Sequence, residues 1–122
     1  MDLMTVQVGR WRLCQRHKAE FVDITVKSGL RIFAPTWEMV LGHKDGSISD
    51  EEYTKRYRAM MIESWKNHRP EWEEFLRSEG YKAIGCYCKP GLFCHRKLLV
   101  EIFRELCQKL QIPFNYYGEL EP

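Results

Sequence analysis

Three of the chain's five cysteines fall within nine residues, Cys86-Tyr-Cys88-Lys89-Pro-Gly-Leu-Phe-Cys94, and His95 and Arg96 follow the third at once. Thiols, an imidazole and a guanidinium in one short run allow three kinds of chemistry. Cys86, Cys88, Cys94 and His95 are the four ligand types that hold zinc, but C-x-C-x5-C-H is not the paired C-x2-C spacing of ribbons and fingers, and adjacent residues opening a helix diverge by about 100°. The balance is therefore against a metal cofactor. A thiolate nucleophile is the second reading, because a cysteine such as Cys94 at a helix start, beside His95 and Arg96, has its thiolate stabilised. The C-x5-R phosphatase pattern is absent, since Leu92 and Cys94 stand six residues after Cys86 and Cys88. The third reading is structural: free cysteine is a small hydrophobe, and Cys86 and Cys88 alternate as residues lining one face of a covered strand do.

Arg96 carries the sharpest signal. In the first turn of a helix a cation opposes the dipole, so a negative group must lie close by. Either a ligand's phosphate or carboxylate supplies it, bound by Arg96 with His95, Lys89 and Lys97, or a carboxylate of the protein does, with Asp23 one choice. The ligand is the favoured partner. Asp23 lies in the apolar run Phe21–Val26, and Lys27 and Ser28 follow it, at the strand end where open α/β sheets bind ligands. Thr36 offers a hydroxyl, and Trp37, Tyr53, Tyr57 or Tyr87 a stacking surface for a base. Asp23 and Glu119 are the candidate general bases, although a carboxylate near a chain end is usually only solvated. His17, His43 and His68 read as surface residues.

The elements that must carry these groups follow from pattern. Met4, Val6 and Val8 alternate with polar neighbours and predict a strand at 3–9 ended by Gly9; residues 10–19 show no period and stay unassigned. Residues 21–26 read as a strand covered on both faces. Ser49-Asp-Glu-Glu52 is a capping box that opens a helix over 50–67. Pro70, the acids that follow it and Gly80 bracket a second helix, residues 82–88 a strand, Lys89-Pro90-Gly91 a turn, and His95 to Leu110 a helix with Leu98, Leu99, Ile102, Phe103 and Leu106 on one face. Strands alternating with helices predict a single-domain α/β protein over 1–122, a three-layer sandwich with a small, largely parallel sheet flanked by helices.

Composition bounds the function. The chain has 122 residues, 44% hydrophobic and 30% charged, which suits one folded domain. Its net charge of +2 gives no overall footprint for duplex nucleic acid. No apolar stretch approaches the ~20 residues that span a bilayer, and MDLMTVQVGRWR lacks the order of a signal peptide, so no membrane partner and a cytoplasmic location are expected. Oligomeric state stays open.

The run GCYCKPGLFCHRKLL, with FAPTW at 33–37 and the tyrosines at 53 and 57, resembles the bacterial and phage family called domain of unknown function 488, whose members carry a cysteine followed later by Cys-His-Arg opening a helix. The resemblance centres on residues 84–99. It implies a three-layer α/β fold, a phage-type protein and an unassigned biochemical role. Together these readings predict a pocket at the strand carboxyl ends that binds a phosphate-bearing ligand, a nucleotide or nucleotide-derived metabolite, and sequesters it. The alternatives are an enzyme cleaving a glycosidic or phosphoester bond of a nucleotide, and a zinc or thiol-redox protein built on the cysteines.

Overall fold

The computed structural model describes residues 1–88 and 92–122. Its order is β1 (Asp2–Gln7), α1 (Arg12–Arg16), β2 (Ala19–Asp23), α2 (Trp37–Asp45), α3 (Asp50–Asn67), α4 (Arg69–Arg77), β3 (Tyr81–Cys86), α5 (His95–Leu110) and β4 (Asn115–Glu119). The four strands form one sheet in the order β2-β3-β1-β4, and every neighbouring pair is parallel. That is the α/β sandwich the pattern predicts.

Parallel strands must be joined by crossovers, and the side chains show which face each crossover takes. Leu3, Val22, Ile24, Ile84 and Cys86 pack with Met39, Tyr57, Trp72, Leu76, Leu99 and Phe103, so α2 to α5 cover one face. Met4, Val6 and Ala83 point the other way, onto Leu13 and Cys14 of α1. The chain leaves β1 over one face and its neighbour β3 over the other. The carboxyl ends of β1 and β3 therefore straddle the point where the winding changes direction, the usual place for a ligand crevice in such sheets.

Caps explain the boundaries. Ser49 accepts the Glu52 amide at 3.1 Å and starts α3 as its box predicts. Thr36 accepts the Met39 amide at 3.2 Å and starts α2, which closes on Gly46 at φ +88°. This helix has no counterpart in the sequence reading, where Thr36 stands as a ligand group. The second strand starts two residues before the expected 21–26 and ends earlier, because the Asp23 carboxylate takes the Thr25 amide at 2.8 Å and turns the chain. Gly29 then packs so closely that a Cβ there would lie 2.3 Å from the Thr25 nitrogen. The first strand stops at Gln7, ahead of a 3-10 turn over Val8–Arg10, and α1 occupies the unassigned stretch. Gly80, expected as a helix cap, sits at φ +90° beyond α4, which ends at Arg77. The predicted turn at 89–91 lies outside the described residues.

The apolar stripe of α5 faces the sheet: Leu99 and Phe103 are fully buried and Ile102 nearly so, with Leu98 and Leu106 packed around them. Leu99→Ala is expected to cost about 2–5 kcal/mol in chemical denaturation, the range for a truncated, fully buried leucine. An unchanged unfolding midpoint would mean that another face carries the core.

Candidate functional site

Arg96 is wholly removed from solvent. Its Nε and Nη2 donate to the two carboxylate oxygens of Glu119 at 3.1 and 3.0 Å, and Nη1 donates to the Cys88 carbonyl at 2.8 Å and the Cys86 sulfur at 2.9 Å, with Cys94 Sγ at 3.5 Å. The anion that balances it belongs to the protein. This corrects two expectations, that Arg96 faces a ligand and that Asp23 is its internal partner. It also corrects Glu119 as a solvated or general-base carboxylate, since its side chain is only 15% exposed and engaged on both oxygens.

A backbone irregularity puts Glu119 there. In β4, Tyr116 sits opposite Leu3 but Glu119, not residue 118, sits opposite Thr5. One extra residue reverses the alternation of faces, and Gly118 at φ +96° absorbs it. Glu119 is thereby turned to the side on which Leu3 and Thr5 meet the α5 layer, while Leu120 goes to the opposite cluster.

The Sγ atoms of Cys86, Cys88 and Cys94 all lie within 4.8 Å of one another. Cys86 ends β3, Cys88 follows it, and Cys94 is the residue before the first turn of α5. The Cys86 and Cys94 sulfurs are in direct contact as a bonded pair, although their Cα atoms are 7.9 Å apart, beyond the roughly 4.4–6.8 Å usual for disulfides. Three converging sulfurs suit a thiophilic ion. His95, the fourth ligand of the sequence reading, falls outside the group, and the Arg96 guanidinium already meets two of the sulfurs. A divalent cation there would sit against a fixed positive charge, whereas a thiolate is stabilised by it. Burial pushes the Cys88 thiol up, and Arg96 only partly offsets this.

His95 is buried, and its Nε2 lies 2.8 Å from the Ile24 carbonyl, which fixes that nitrogen as the proton carrier; Nδ1 faces Cys94 Sγ at 4.0 Å. Burial, reinforced by Arg96, lowers its pKa to about 4 against the opposing pull of the Ile24 carbonyl and Asp23. It is a neutral strut between β2 and α5 and not the anion-binding cation expected. Asp23 is likewise a turn residue: burial raises its carboxyl, but hydrogen bonds from Ser28 and Thr25 outweigh this and hold it below the usual range. A base held that way is a weak proton acceptor.

The sulfurs form part of the wall of a cavity of about 610 Å³ at the carboxyl ends of β2 and β3, lined also by Tyr53, Tyr87, Phe93, His43, Lys44 and Val40. Phe93 meets Tyr53 edge-on at 5.5 Å and His43 at 5.0 Å. Of the predicted ligand residues, Cys88, Cys94, His95, Tyr53 and Tyr87 reach this cavity. Tyr57 does not: it is core, and its hydroxyl donates to the Phe33 carbonyl at 2.7 Å. Thr36, Trp37, Lys27 and Ser28 are exposed outside the lining. Lys89 lies outside the described residues. His43 is a wall residue and not the free surface group expected, and its Nε2 meets Asp50. Nothing local in the sequence marks His43 or Val40, because α2 itself was not legible there.

Helices on both faces of an all-parallel sheet, with a thiol-lined cavity at the strand carboxyl ends, define a small doubly wound α/β protein with a cysteine-centred site. The chain belongs to the family described as "DUF488-N3a: Active DUF488-N3 subclade", which it matches over residues 5–106. The match covers Cys86, Cys88, Cys94 and Arg96 and stops short of β4 and Glu119. No curated protein and no solved structure matches the chain. Among the described residues no helix is long and apolar enough to cross a membrane.

Removing the Glu119 carboxylate should leave a buried guanidinium uncompensated. Glu119→Ala is expected to destabilise by about 3–5 kcal/mol, with much of the loss recovered in Arg96→Met/Glu119→Leu, measured by denaturant titration. Recovery failing to appear would mean that more than the ion pair is at stake. For His95 the unfolded ring gains its proton near pH 6.5 and the folded ring only near 4. The unfolded state then binds more protons between those values, so stability is complete above pH 6.5 and falls on acidification, by on the order of 3 kcal/mol at pH 4. His95→Gln should flatten that slope, and an unchanged slope would place the titration elsewhere.

Proposed function

We propose that the cavity binds a nucleotide-type ligand by its planar base and that the cysteine cluster is the functional group it meets. The observation that carries this is the convergence of three sulfurs, two of them in contact with the Arg96 guanidinium, on the wall of a cavity whose other walls are largely apolar and aromatic. An aromatic slot suits a base, and Lys44 supplies a cation for its phosphate. The family description's word "Active" agrees with a working site.

The acid–base route to glycosidic or phosphoester cleavage is less favoured, because both of its carboxylates are committed: Asp23 to its turn and Glu119 to Arg96. Arg96 acts as the group that positions the sulfurs, with Glu119 fixing its orientation. On this reading the thiols, and not Arg96, meet the ligand.

Two measurements on the reduced protein test it together. Nucleosides and nucleotides are screened by thermal shift, and hits are then assayed for protection of Cys86, Cys88 and Cys94 from iodoacetamide by peptide mass spectrometry. At least one base-bearing compound should raise the melting temperature and slow alkylation in the cluster, while Cys14 and Cys107, buried elsewhere, are unaffected. A screen with no stabilising compound, or stabilisation without protection, overturns the assignment. Stoichiometric zinc after chelator-free purification would replace it with the metal reading.

A further inference from the structure

Neighbouring thiols exchange disulfides: a thiolate attacks one sulfur of a bonded pair and expels the other, faster where the expelled sulfur is stabilised as a thiolate. Cys86 and Cys94 are bonded to each other, and the sulfur of Cys88 lies within 4.8 Å of both. The three differ in access. Cys86 and Cys94 are 2% and 3% exposed, whereas Cys88 is a half-buried free thiol on the wall of the cavity. The sheet holds it there. Cys86 ends β3 in register with Gln7, the Gln7 side chain donates to the Tyr87 carbonyl at 3.4 Å, and Arg96 Nη1 donates to the Cys88 carbonyl at 2.8 Å.

Arg96 makes the bonded pair asymmetric. Glu119 occupies its Nε and Nη2, and the remaining Nη1 donates to Cys86 Sγ at 2.9 Å while Cys94 Sγ lies at 3.5 Å. A guanidinium stabilises a thiolate, so Cys86 is the better leaving sulfur and Cys94 the one to be attacked. Burial raises the Cys88 thiol and Arg96 opposes the rise. The thiolate that forms there is the stronger nucleophile for it. The cavity, at about 610 Å³, is of small-molecule size, and Lys44 on its wall supplies a cation for a carboxylate.

We propose that the cluster is a thiol–disulfide exchange site for small carboxylate-bearing aliphatic thiols, with Cys88 as the relay between the buried pair and the cavity. This goes beyond the nucleotide reading and does not depend on it. Cys88 gives its proton to solvent and attacks Cys94 Sγ. The Cys88–Cys94 bond forms, the Cys86–Cys94 bond breaks, and the electron pair stays on Cys86, facing Arg96. A small thiol in the cavity, as its thiolate, then attacks Cys88, forming a mixed disulfide and freeing Cys94. A second one takes the bound sulfur away as a small-molecule disulfide, and Cys88 regains its proton. Two thiols are oxidised to one disulfide, the Cys86–Cys94 disulfide is reduced to two thiols, and the two protons pass from the first to the second.

The probe is reduced glutathione, applied to the full chain after oxidation in air. Samples are quenched in acid, alkylated and digested with chymotrypsin, whose cuts after Tyr87 and Phe93 separate the three cysteines for mass spectrometry. The oxidised protein should show the Cys86–Cys94 bond with a minor Cys88–Cys94 form, and brief glutathione treatment should place the mixed disulfide on Cys88. Cys88→Ser should keep the Cys86–Cys94 bond yet be reduced roughly tenfold more slowly, since glutathione must then reach the buried pair directly. Cys86→Ser should bond Cys88 to Cys94. Unchanged melting temperatures check that the variants fold, and should Cys88→Ser fail to fold, the position of the mixed disulfide on the wild type decides. A mixed disulfide on Cys86 or Cys94 overturns the proposal, as does Cys88→Ser reduced at the wild-type rate, or no disulfide within the cluster after oxidation. The two readings separate cleanly. Exchange through Cys88 in a protein that no nucleoside or nucleotide stabilises leaves this inference standing and overturns the nucleotide reading alone; nucleotide stabilisation with a cluster inert to glutathione does the reverse.

Discussion

A buried guanidinium organises this molecule. Burying the charge of Arg96 costs several kcal/mol unless its donors are met, and here they meet groups from widely separated parts of the chain: the Glu119 carboxylate in β4, the Cys88 carbonyl after β3 and the sulfurs of Cys86 and Cys94. Such a hub ties the first turn of α5 to the carboxyl end of the sheet. It also makes the cysteine cluster electropositive, which apolar surroundings alone would not do.

The edge strand β4 is the least conspicuous part of that arrangement and among the most consequential. A strand of alternating residues could not have placed both Tyr116 and Glu119 on the helix side of the sheet. The bulge at Gly118 does so, with Tyr116 bonding Thr5 at 2.7 Å and Glu119 reaching Arg96. A local departure from regular pairing thus supplies the counter-charge for a residue 23 positions away, and the conformational freedom of one glycine supports the electrostatics of the site.

The helix layer serves the cavity by different means. Tyr57 and Trp72 fill the interior below it, Phe33 packs edge-on against Trp72 and Phe103, and His95 spans from α5 to the Ile24 carbonyl without charge. Above this packed floor α2 and the segment before α5 leave open space walled by rings and thiols. The same interior that excludes water from Arg96 leaves room beside the sulfurs for a ligand.

Much of this was legible in the chain itself, wherever the signal is local. Periodicity over residues 50–67 and 95–110, the capping box at Ser49 and the alternation of strand and helix determine the architecture, because each depends on contacts between residues a few positions apart. The cysteine run and the need of Arg96 for an anion were likewise visible, since dipole and cation belong to one helix. Which anion answers that need was decided only by the tertiary structure: Glu119 lies beyond the helix on another strand, and a one-residue bulge, invisible in composition, determines the face it takes. So too for His43 and Val40, brought to the cavity by a helix whose caps, Thr36 and Gly46, look like an ordinary loop in sequence. Side-chain type determines what chemistry a residue can do; what it meets depends on register and packing between distant segments, which no window along the chain contains.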